Sequence, residues 1–151
     1  MISYYETDAN ELDLIKELWE KLNSHHKARS KYFYQEYEKI VFEDRKKQLL
    51  TKVGEGNLRI DLAVDKDSKK PVGYCVSSFS NRNGEIDSIY VDENFRNIGI
   101  GDCLMRRALK WMDIKDVVNR EVKLSAGNDD AIQFYSHYGF HPKHIILKQR
   151  K

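Results

Sequence analysis

The feature that most constrains the fold is a glycine-bearing loop, DENFRNIGIGD at 92–102, which joins a strand-like segment to a helix-like one. The apolar run EIDSIYV precedes the loop, and CLMRRALKWM follows it with its apolar residues on one helical face. Another strand-like segment, EVKLSA, comes after that helix. A strand, a helix and a second strand in this order predict a right-handed crossover between two parallel strands.

The segments before the loop predict antiparallel strands instead. Two turns, KDSKKP and NRNG, separate the strand-like runs LRIDLAV, VGYCVSSFS and EIDSIYV, which is the pattern of a meander. ISYYE fits a short first strand, and FHPKHIILKQ fits a strand that closes the chain. The predicted fold class is therefore α+β, with a mixed, mostly antiparallel sheet and flanking helices.

Helical periodicity marks three further segments. Apolar residues recur every 3.6 residues after position 10, and a second helical region is expected over about 30–50, with a break near Phe42. GEGN at 54–57 is a turn signal. The capping candidates are Asp8 or Asn10 for the first helix and Asn128 or Asp129 for the last one, DAIQFYSHYG.

Length and charge exclude several classes of protein. A chain of 151 residues fits one domain, 1–151. The 26 Lys and Arg against 24 Asp and Glu give a net charge of +2, unlike the strongly basic balance of nucleic-acid binders. The sequence contains neither a run of the ~20 apolar residues that a membrane span needs nor an N-terminal signal pattern. We therefore expect a soluble, cytoplasmic protein that binds neither nucleic acid nor membrane.

The glycine loop has the features of an anion site. The first amides of a helix lack internal partners and carry partial positive charge. Gly99 and Gly101 let a phosphate approach the backbone, and Arg96 adds a charged donor. Two common phosphate loops do not fit: G-x-x-x-x-G-K-[ST] is absent, and Leu104 stands where G-x-G-x-x-G needs its third glycine.

Two signatures carry a family resemblance. The run SIYVDENFRNIGIGDCLMRRAL resembles the acetyl-CoA signature of the GNAT superfamily of N-acetyltransferases, whose loop reads [QR]-x-x-G-x-[GA]; Arg96, Gly99 and Gly101 stand at its fixed positions. Further on, NDDAIQFYSHYGF resembles the family's closing signature, N-x-x-A-x-x-F-Y-x-x-x-G-F. Both occur in the family's order, and the order of elements agrees along nearly the whole chain. Asn97 and Ile98 depart from the common R-G-K-G-I-G, at variable positions.

The resemblance implies a GNAT fold with a splayed central pair of parallel strands, and acetyl-CoA as the cofactor. It implies that the pyrophosphate binds the loop amides, that the pantetheine arm runs along the end of EIDSIYV, and that a free amide near Ile89 or Tyr90 polarises the acetyl carbonyl. The implied cofactor-binding residues are Ile89, Tyr90, Val91, Arg96, Asn97, Ile98, Gly99, Ile100, Gly101, Asp102, Asn128 and Tyr135. No metal is implied.

Acetyl transfer to an amine calls for a base and an acid. Glu85 and Asp87 are two residues apart and share a strand face if no bulge intervenes. Glu85 is the preferred base, since several family members use a glutamate at this place, often through water. Tyr135 stands at the family's tyrosine position near the CoA sulfur and is the candidate acid. The structural alternatives are carboxylates that attract an amine or cap a hairpin, and a tyrosine that packs in the core.

The acceptor is less defined. In the superfamily the first helices shape its site, which here means residues 22–45. The leading hypothesis is transfer to a primary amine of a small molecule, such as a polyamine or an aminoglycoside, by direct attack in a ternary complex. Protein or peptide acetylation and a low-turnover CoA-binding module are the alternatives. Homodimers are frequent in the family, although no interface is indicated here. The residues available to the acceptor are Tyr32, Phe33, Tyr34, Tyr37, Glu36, Glu38, Glu43 and Asp44.

Overall fold

A computed structural model describes the backbone of residues 1–151 and every side chain except that of residue 55. Five strands and five α-helices alternate with two 3-10 turns, at Ala9–Ile15 and Glu93–Phe95. The strands are β1 Ile2–Thr7, β2 Asn57–Asp65, β3 Pro71–Ser80, β4 Asn83–Val91 and β5 Asn119–Val122. The helices are α1 Lys16–Arg29, α2 Tyr34–Lys39, α3 Phe42–Glu55, α4 Ile100–Ile114 and α5 Asp129–Ser136.

The strands form one sheet in the order β1-β2-β3-β4-β5. The first four strands pair antiparallel, as the hairpin turns predict. β4 and β5 pair in parallel, with α4 in the connection between them. The mixed sheet and the α+β class predicted from the sequence are therefore confirmed.

Each face of the sheet buries its own apolar cluster. On one face, α4 contributes Leu104, Met105, Ala108 and Met112, which confirms the apolar face that its sequence predicts. On the other face, Leu12 and Trp19 pack with Phe42 and Leu49 of α3 against β2 and β3. The sheet therefore lies between α4 and α5 on one side and α1 and α3 on the other.

The parallel pair separates after a few residues. β4 pairs with β5 only over Asn83–Ile86. At the same point β4 contains a bulge, because Ser77 of β3 lies opposite Ile86 while Val76 lies opposite Ser88. Asp87 is the extra residue of that bulge. The predicted splay of the two parallel strands is thus present, and its start coincides with the bulge.

The helical predictions differ from the structure mainly in length. Asp8 caps the first turn by accepting a hydrogen bond from the Asn10 amide at 2.9 Å. The helical region expected over 30–50 is broken, as predicted, between α2 and α3, and α3 continues to position 55. In the part of the chain that the structure describes, no helix is long and apolar enough to cross a bilayer.

Two strand predictions are wrong. The predicted EVKLSA strand begins earlier and ends at Val122, since its later residues move away from β4. The predicted closing strand over FHPKHIILKQ is not formed. A further strand needs a free edge to pair with, and β5, which is four residues long, offers only a short one. The end of the chain instead contacts the start of α2 through Lys148, whose Nζ lies 2.8 Å from Glu36 Oε1 and over the ring of Phe33.

The close approach of β4 to the end of α4 generates a stability prediction. A Cβ at Gly84 would lie 2.7 Å from Val117 Cγ1 and 3.3 Å from Met112 Sδ. We expect Gly84→Ala to lower the free energy of unfolding by roughly 1–3 kcal/mol, because the packed side chains must move. Urea unfolding measures the difference. The control is Gly54→Ala in α3, where nothing lies within 4 Å of the added Cβ and stability should be equal or higher.

Candidate functional site

A cavity of about 1100 Å³ opens where β4 and β5 separate. Its walls are β4, the segment after β5, the glycine loop with the start of α4, and the facing sides of α1, α3 and α5. Among the site residues predicted from the sequence, Ile98 lies outside the lining and is largely exposed. The cavity brings together the others, which are Glu85, Asp87, Ile89, Tyr90, Val91, Arg96, Asn97, Gly99, Ile100, Gly101, Asp102, Asn128 and Tyr135.

The glycine loop presents backbone amides to this cavity. Gly99 is the N-cap of α4 and has a φ of +86°, a left-handed conformation that a side chain would strain. Nothing lies within 4 Å of the place where its Cβ would be. The Cys103 amide makes the first helical bond, to Gly99 O at 3.0 Å. The amides of Ile100, Gly101 and Asp102 precede that bond and lack an intrahelical acceptor.

Contacts of two cationic side chains hold the loop against the rest of the domain. Arg96 folds back over the end of β4, with Nε donating to Val91 O at 3.0 Å and Cζ lying 5.3 Å from the centre of the Tyr90 ring. Lys21 of α1 donates to Asp92 at 2.7 Å, and this hydrogen bond lowers the pKa of Asp92. The entrance to the loop is thereby tied to both β4 and α1.

The backbone of β4 alternates in the direction of its hydrogen bonds. The Asp92 amide donates to Val72 O of β3 at 2.8 Å, so these two residues form a hydrogen-bonded pair. Such pairs recur every second residue of an antiparallel ladder, so Tyr90 exchanges its bonds with Tyr74. The amides and carbonyls of Ile89 and Val91 point the other way, into the opening left by β5.

Tyr135 lies in α5, where the helix meets the apolar cluster under α4. Its ring packs edge-on against Phe134 and Phe140, with centroid distances of 5.2 and 6.1 Å. The residue is 6% exposed. Burial raises the pKa of the Tyr135 phenol, with a smaller contribution from Cys75. The phenol therefore remains protonated at neutral pH and can donate a proton but not accept one.

Glu85 and Asp87 meet at a lysine that the sequence reasoning missed. Lys52 of α3 forms ion pairs with both, and its Nζ lies 2.8 Å from Glu85 Oε1. Burial opposes the charge of Lys52, yet its hydrogen bonds to Asp87 and Glu85 raise its pKa. Burial also raises the pKa of Asp87, against the effect of Lys52. The Asp87 side chain is fully buried, whereas 16% of the Glu85 side chain is exposed.

Arg45 and Gln48 continue the cavity-facing side of α3 and were also missed. Arg45 Nη2 donates to the carbonyl of Asp87 at 2.7 Å, and Nη1 donates to Gln48 Oε1 at 3.1 Å. Positions 45, 48 and 52 follow the i, i+3, i+7 spacing of one helical face. That polar face, opposite two carboxylates on a strand, is the signal in the sequence that could have identified these residues.

The acceptor region predicted from the sequence is only partly in the cavity. Of the aromatic and acidic residues named there, Asp44 lines it. Tyr37 instead donates to Ser125 Oγ at 2.8 Å and links α2 to the segment after β5. His26 also lines the cavity, and burial together with the neighbouring His25 lowers its pKa to about 4, so it is neutral at pH 7.

Several solved structures share this fold at low sequence identity. A Pyrococcus furiosus protein designated an acetyl transferase superposes with a TM-score of 0.72 at 20% identity, covering 99% of this chain and 100% of that one. The PaiA N-acetyltransferase of Thermoplasma acidophilum, in complex with coenzyme A, gives 0.70 at 15% identity, covering 91% and 88%. An aminoglycoside N-acetyltransferase in complex with CoA gives 0.66 at 15% identity, covering 100% and 95%.

Sequence comparison identifies the family. An uncharacterized N-acetyltransferase of Methanocaldococcus jannaschii is 32% identical over 84 residues, a stretch that spans 51% of this chain and 37% of that relative. The sequence model of the Acetyltransferase (GNAT) family matches residues 13–140. That match runs from the turn before α1 to the end of the second signature and includes the whole lining of the cavity. The chain belongs to the GNAT acetyltransferase family.

Proposed function

We propose that the protein transfers the acetyl group of acetyl-CoA to a primary amine of a small molecule, by direct attack in a ternary complex. One observation carries the proposal. The amides at the start of α4, the open backbone edge of β4, a carboxylate and a protonated phenol line the same cavity. These are the groups that anion binding, carbonyl polarisation, amine deprotonation and thiol protonation require.

The cavity fits the donor at its phosphate end. The unpaired amides of Ile100, Gly101 and Asp102 and the guanidinium of Arg96 would hold the pyrophosphate. The Asn128 side chain does not cap α5, which leaves it available to the pantetheine arm. When bound, acetyl-CoA supplies the acetyl group as an activated thioester. Two proteins of the same fold are complexes with coenzyme A, which supports this assignment.

The backbone of β4 favours Ile89 over Tyr90 as the donor to the acetyl carbonyl. The Tyr90 amide is directed to Tyr74 in β3, whereas the Ile89 amide faces the opening between β4 and β5. An amide fixed in a strand is already oriented before the reaction, so it stabilises developing negative charge without reorganisation. The amides of Ile89 and Val91 therefore line the path along which an extended arm can pair with the strand.

Glu85 is the proposed base. A primary amine is mostly an ammonium ion at pH 7 and must lose a proton before its nitrogen can attack. Glu85 is partly exposed in the cavity and can take that proton directly or through water. Asp87 is less accessible, because its side chain is fully buried and bonded to Lys52. We assign Asp87 to the positioning of Lys52 and Glu85.

Tyr135 is the proposed acid. The C–S bond breaks as the C–N bond forms, and the departing sulfur takes the phenolic proton. The attacking nitrogen loses a second proton as it becomes the amide nitrogen, and this proton restores the phenol. The products are therefore one amide, one thiol and the proton that left the ammonium ion. The raised pKa of Tyr135 keeps the phenol protonated until the thiolate develops. Proteins of the same fold include aminoglycoside acetyltransferases, which supports a small-molecule amine as the acceptor.

Arg96 provides the test of donor binding. We expect Arg96→Gln to weaken CoA binding by roughly 10-fold, since one charge-assisted contact to phosphate is lost. Isothermal calorimetry with CoA measures the affinity. Lys110→Gln is the matched control, because Lys110 is exposed on the same helix as the loop amides but lies outside the cavity. Equal affinities for the two variants would contradict the placement of the pyrophosphate.

Glu85→Gln tests the base. We expect kcat/KM to fall by roughly 10²-fold or more at pH 7 and the deficit to shrink towards pH 10, where the amine deprotonates without help. Thiol release with a panel of small amines and short peptides measures turnover, and mass detection identifies the acetylated product. A constant deficit across pH would remove the role as base. Turnover on peptides alone would instead support peptide acetylation, and CoA binding without turnover would instead support a CoA-binding module.

Tyr135→Phe tests the acid. We expect kcat to fall by about 10²-fold while the affinity for CoA stays unchanged, because the substitution removes one hydroxyl and keeps the packed ring. The packing of Phe134 and Phe140 against the ring should persist, so the melting temperature serves as the control. Unchanged turnover across pH would leave Tyr135 as a core aromatic residue.

A further inference from the structure

We propose that the acceptor amine also carries a carboxylate and that Arg45 recognises it. The inference rests on the acetyl transfer proposed above and narrows its acceptor to one chemical class. It concerns the acceptor half of the cavity, by which we mean the part lined by α1, by α3 and by the side chains of β4 that face α3.

The carboxylates that line this half already have partners. Glu85 and Asp87 both pair with Lys52. Asp44 accepts a hydrogen bond from the Val41 amide at 3.2 Å, at the start of α3, and the residue is exposed, so that solvent screens its charge. A polyamine brings more than one ammonium group, and each buried ammonium needs an anionic partner. The acceptor half therefore suits a polycation poorly.

The guanidinium of Arg45 has the opposite character. It is half-buried, and its hydrogen bonds go to a backbone carbonyl and to the amide oxygen of Gln48, both neutral. Among the residues that the structure describes, no carboxylate forms an ion pair with it. Arginine is always charged, and its planar fork matches a carboxylate through two parallel hydrogen bonds. Arg45 is thus a fixed cation whose charge is left for a ligand.

Nearby histidines do not take over this role. His25 and His26 line the same cavity. Burial lowers the pKa of both, so they are neutral at pH 7 and bring no competing positive charge. Arg29 also lines the cavity, but its side chain is exposed to solvent. A solvated charge gives a weaker and less directed contact than a held one.

The position of Arg45 sets the size of the acceptor. Its guanidinium contacts the carbonyl of Asp87, two residues before Ile89 on the same strand. Two strand residues span about 7 Å. An amine beside the Ile89 amide and a carboxylate on Arg45 therefore belong to one small molecule, of the amino-acid type. In the reaction its amine becomes an acetamide, and its carboxylate is unchanged.

The experiment compares three forms of one acceptor: an amino acid, its carboxamide and its decarboxylated amine. Thiol release with acetyl-CoA measures kcat and KM for each form. We expect the wild-type protein to prefer the acid. Arg45→Gln should reduce the preference for the acid over the carboxamide, measured as the ratio of their kcat/KM values, by roughly 10- to 100-fold. Lys47→Gln, an exposed residue of α3 outside the cavity, should keep the preference.

The controls separate this inference from the proposed function. A shift of melting temperature with CoA checks that Arg45→Gln is folded; if it is not, Arg45→Lys replaces it, with a smaller loss of the preference for the acid. Wild-type preference for the carboxamide or the decarboxylated amine would overturn the inference while acetyl transfer stands. An acid preference that survives Arg45→Gln would also overturn it. Binding of CoA without acetylation of any amine would instead contradict the proposed function.

Discussion

The buried carboxylate of Asp87 is the constraint on which the geometry of the cavity depends. It occupies the bulge of β4, one residue after pairing with β5 ends. A carboxylate removed from water is unfavourable unless an opposite charge accompanies it. Lys52 supplies that charge, and Arg45 binds the carbonyl of the same residue. Helix α3 therefore holds the bulge from the side, and the bulge fixes where the two parallel strands separate.

The bulge sets the positions of the residues of β4 on both sides of it. Beyond the bulge, the strand keeps its ladder with β3 through Tyr90, so Ile89 and Val91 turn their backbone groups to the opening. The strand then enters the glycine loop, which Arg96 ties back to Val91. Before the bulge, Glu85 faces the same lysine that neutralises Asp87. One strand thus carries the backbone edge proposed to bind the donor, the proposed base and the contact with α3, and their relative positions follow from its register.

Local patterns in the sequence predict much of this arrangement. Alternation and turn residues predict the meander, and a strand, loop and helix in succession predict the parallel crossover. The glycine loop is predictable because the proposed anion site is built from backbone amides, whose arrangement needs glycine at a left-handed position such as Gly99. The closing strand fails for a non-local reason: an apolar run at 145–147 favours a strand, but its pairing depends on an edge elsewhere in the sheet. The side chains of Ile145, Ile146 and Leu147 remain largely exposed.

The acceptor half was missed for the same kind of reason. Donor recognition through amides leaves a repeating signature, whereas acceptor recognition through side chains depends on which charges meet in space. The carboxylates of β4 look available for a cationic acceptor when the strand is considered alone. Once α3 packs beside them, Lys52 pairs with both, and Arg45 brings a second positive charge that has no anionic partner among the described residues. The isolated strand presents two negative charges, whereas in the folded domain the two positive charges of α3 balance them and the one on Arg45 has no ion-pair partner among the described residues. The expected acceptor group therefore changes, because a ligand responds to the combined field of the packed elements and not to the charge of one of them.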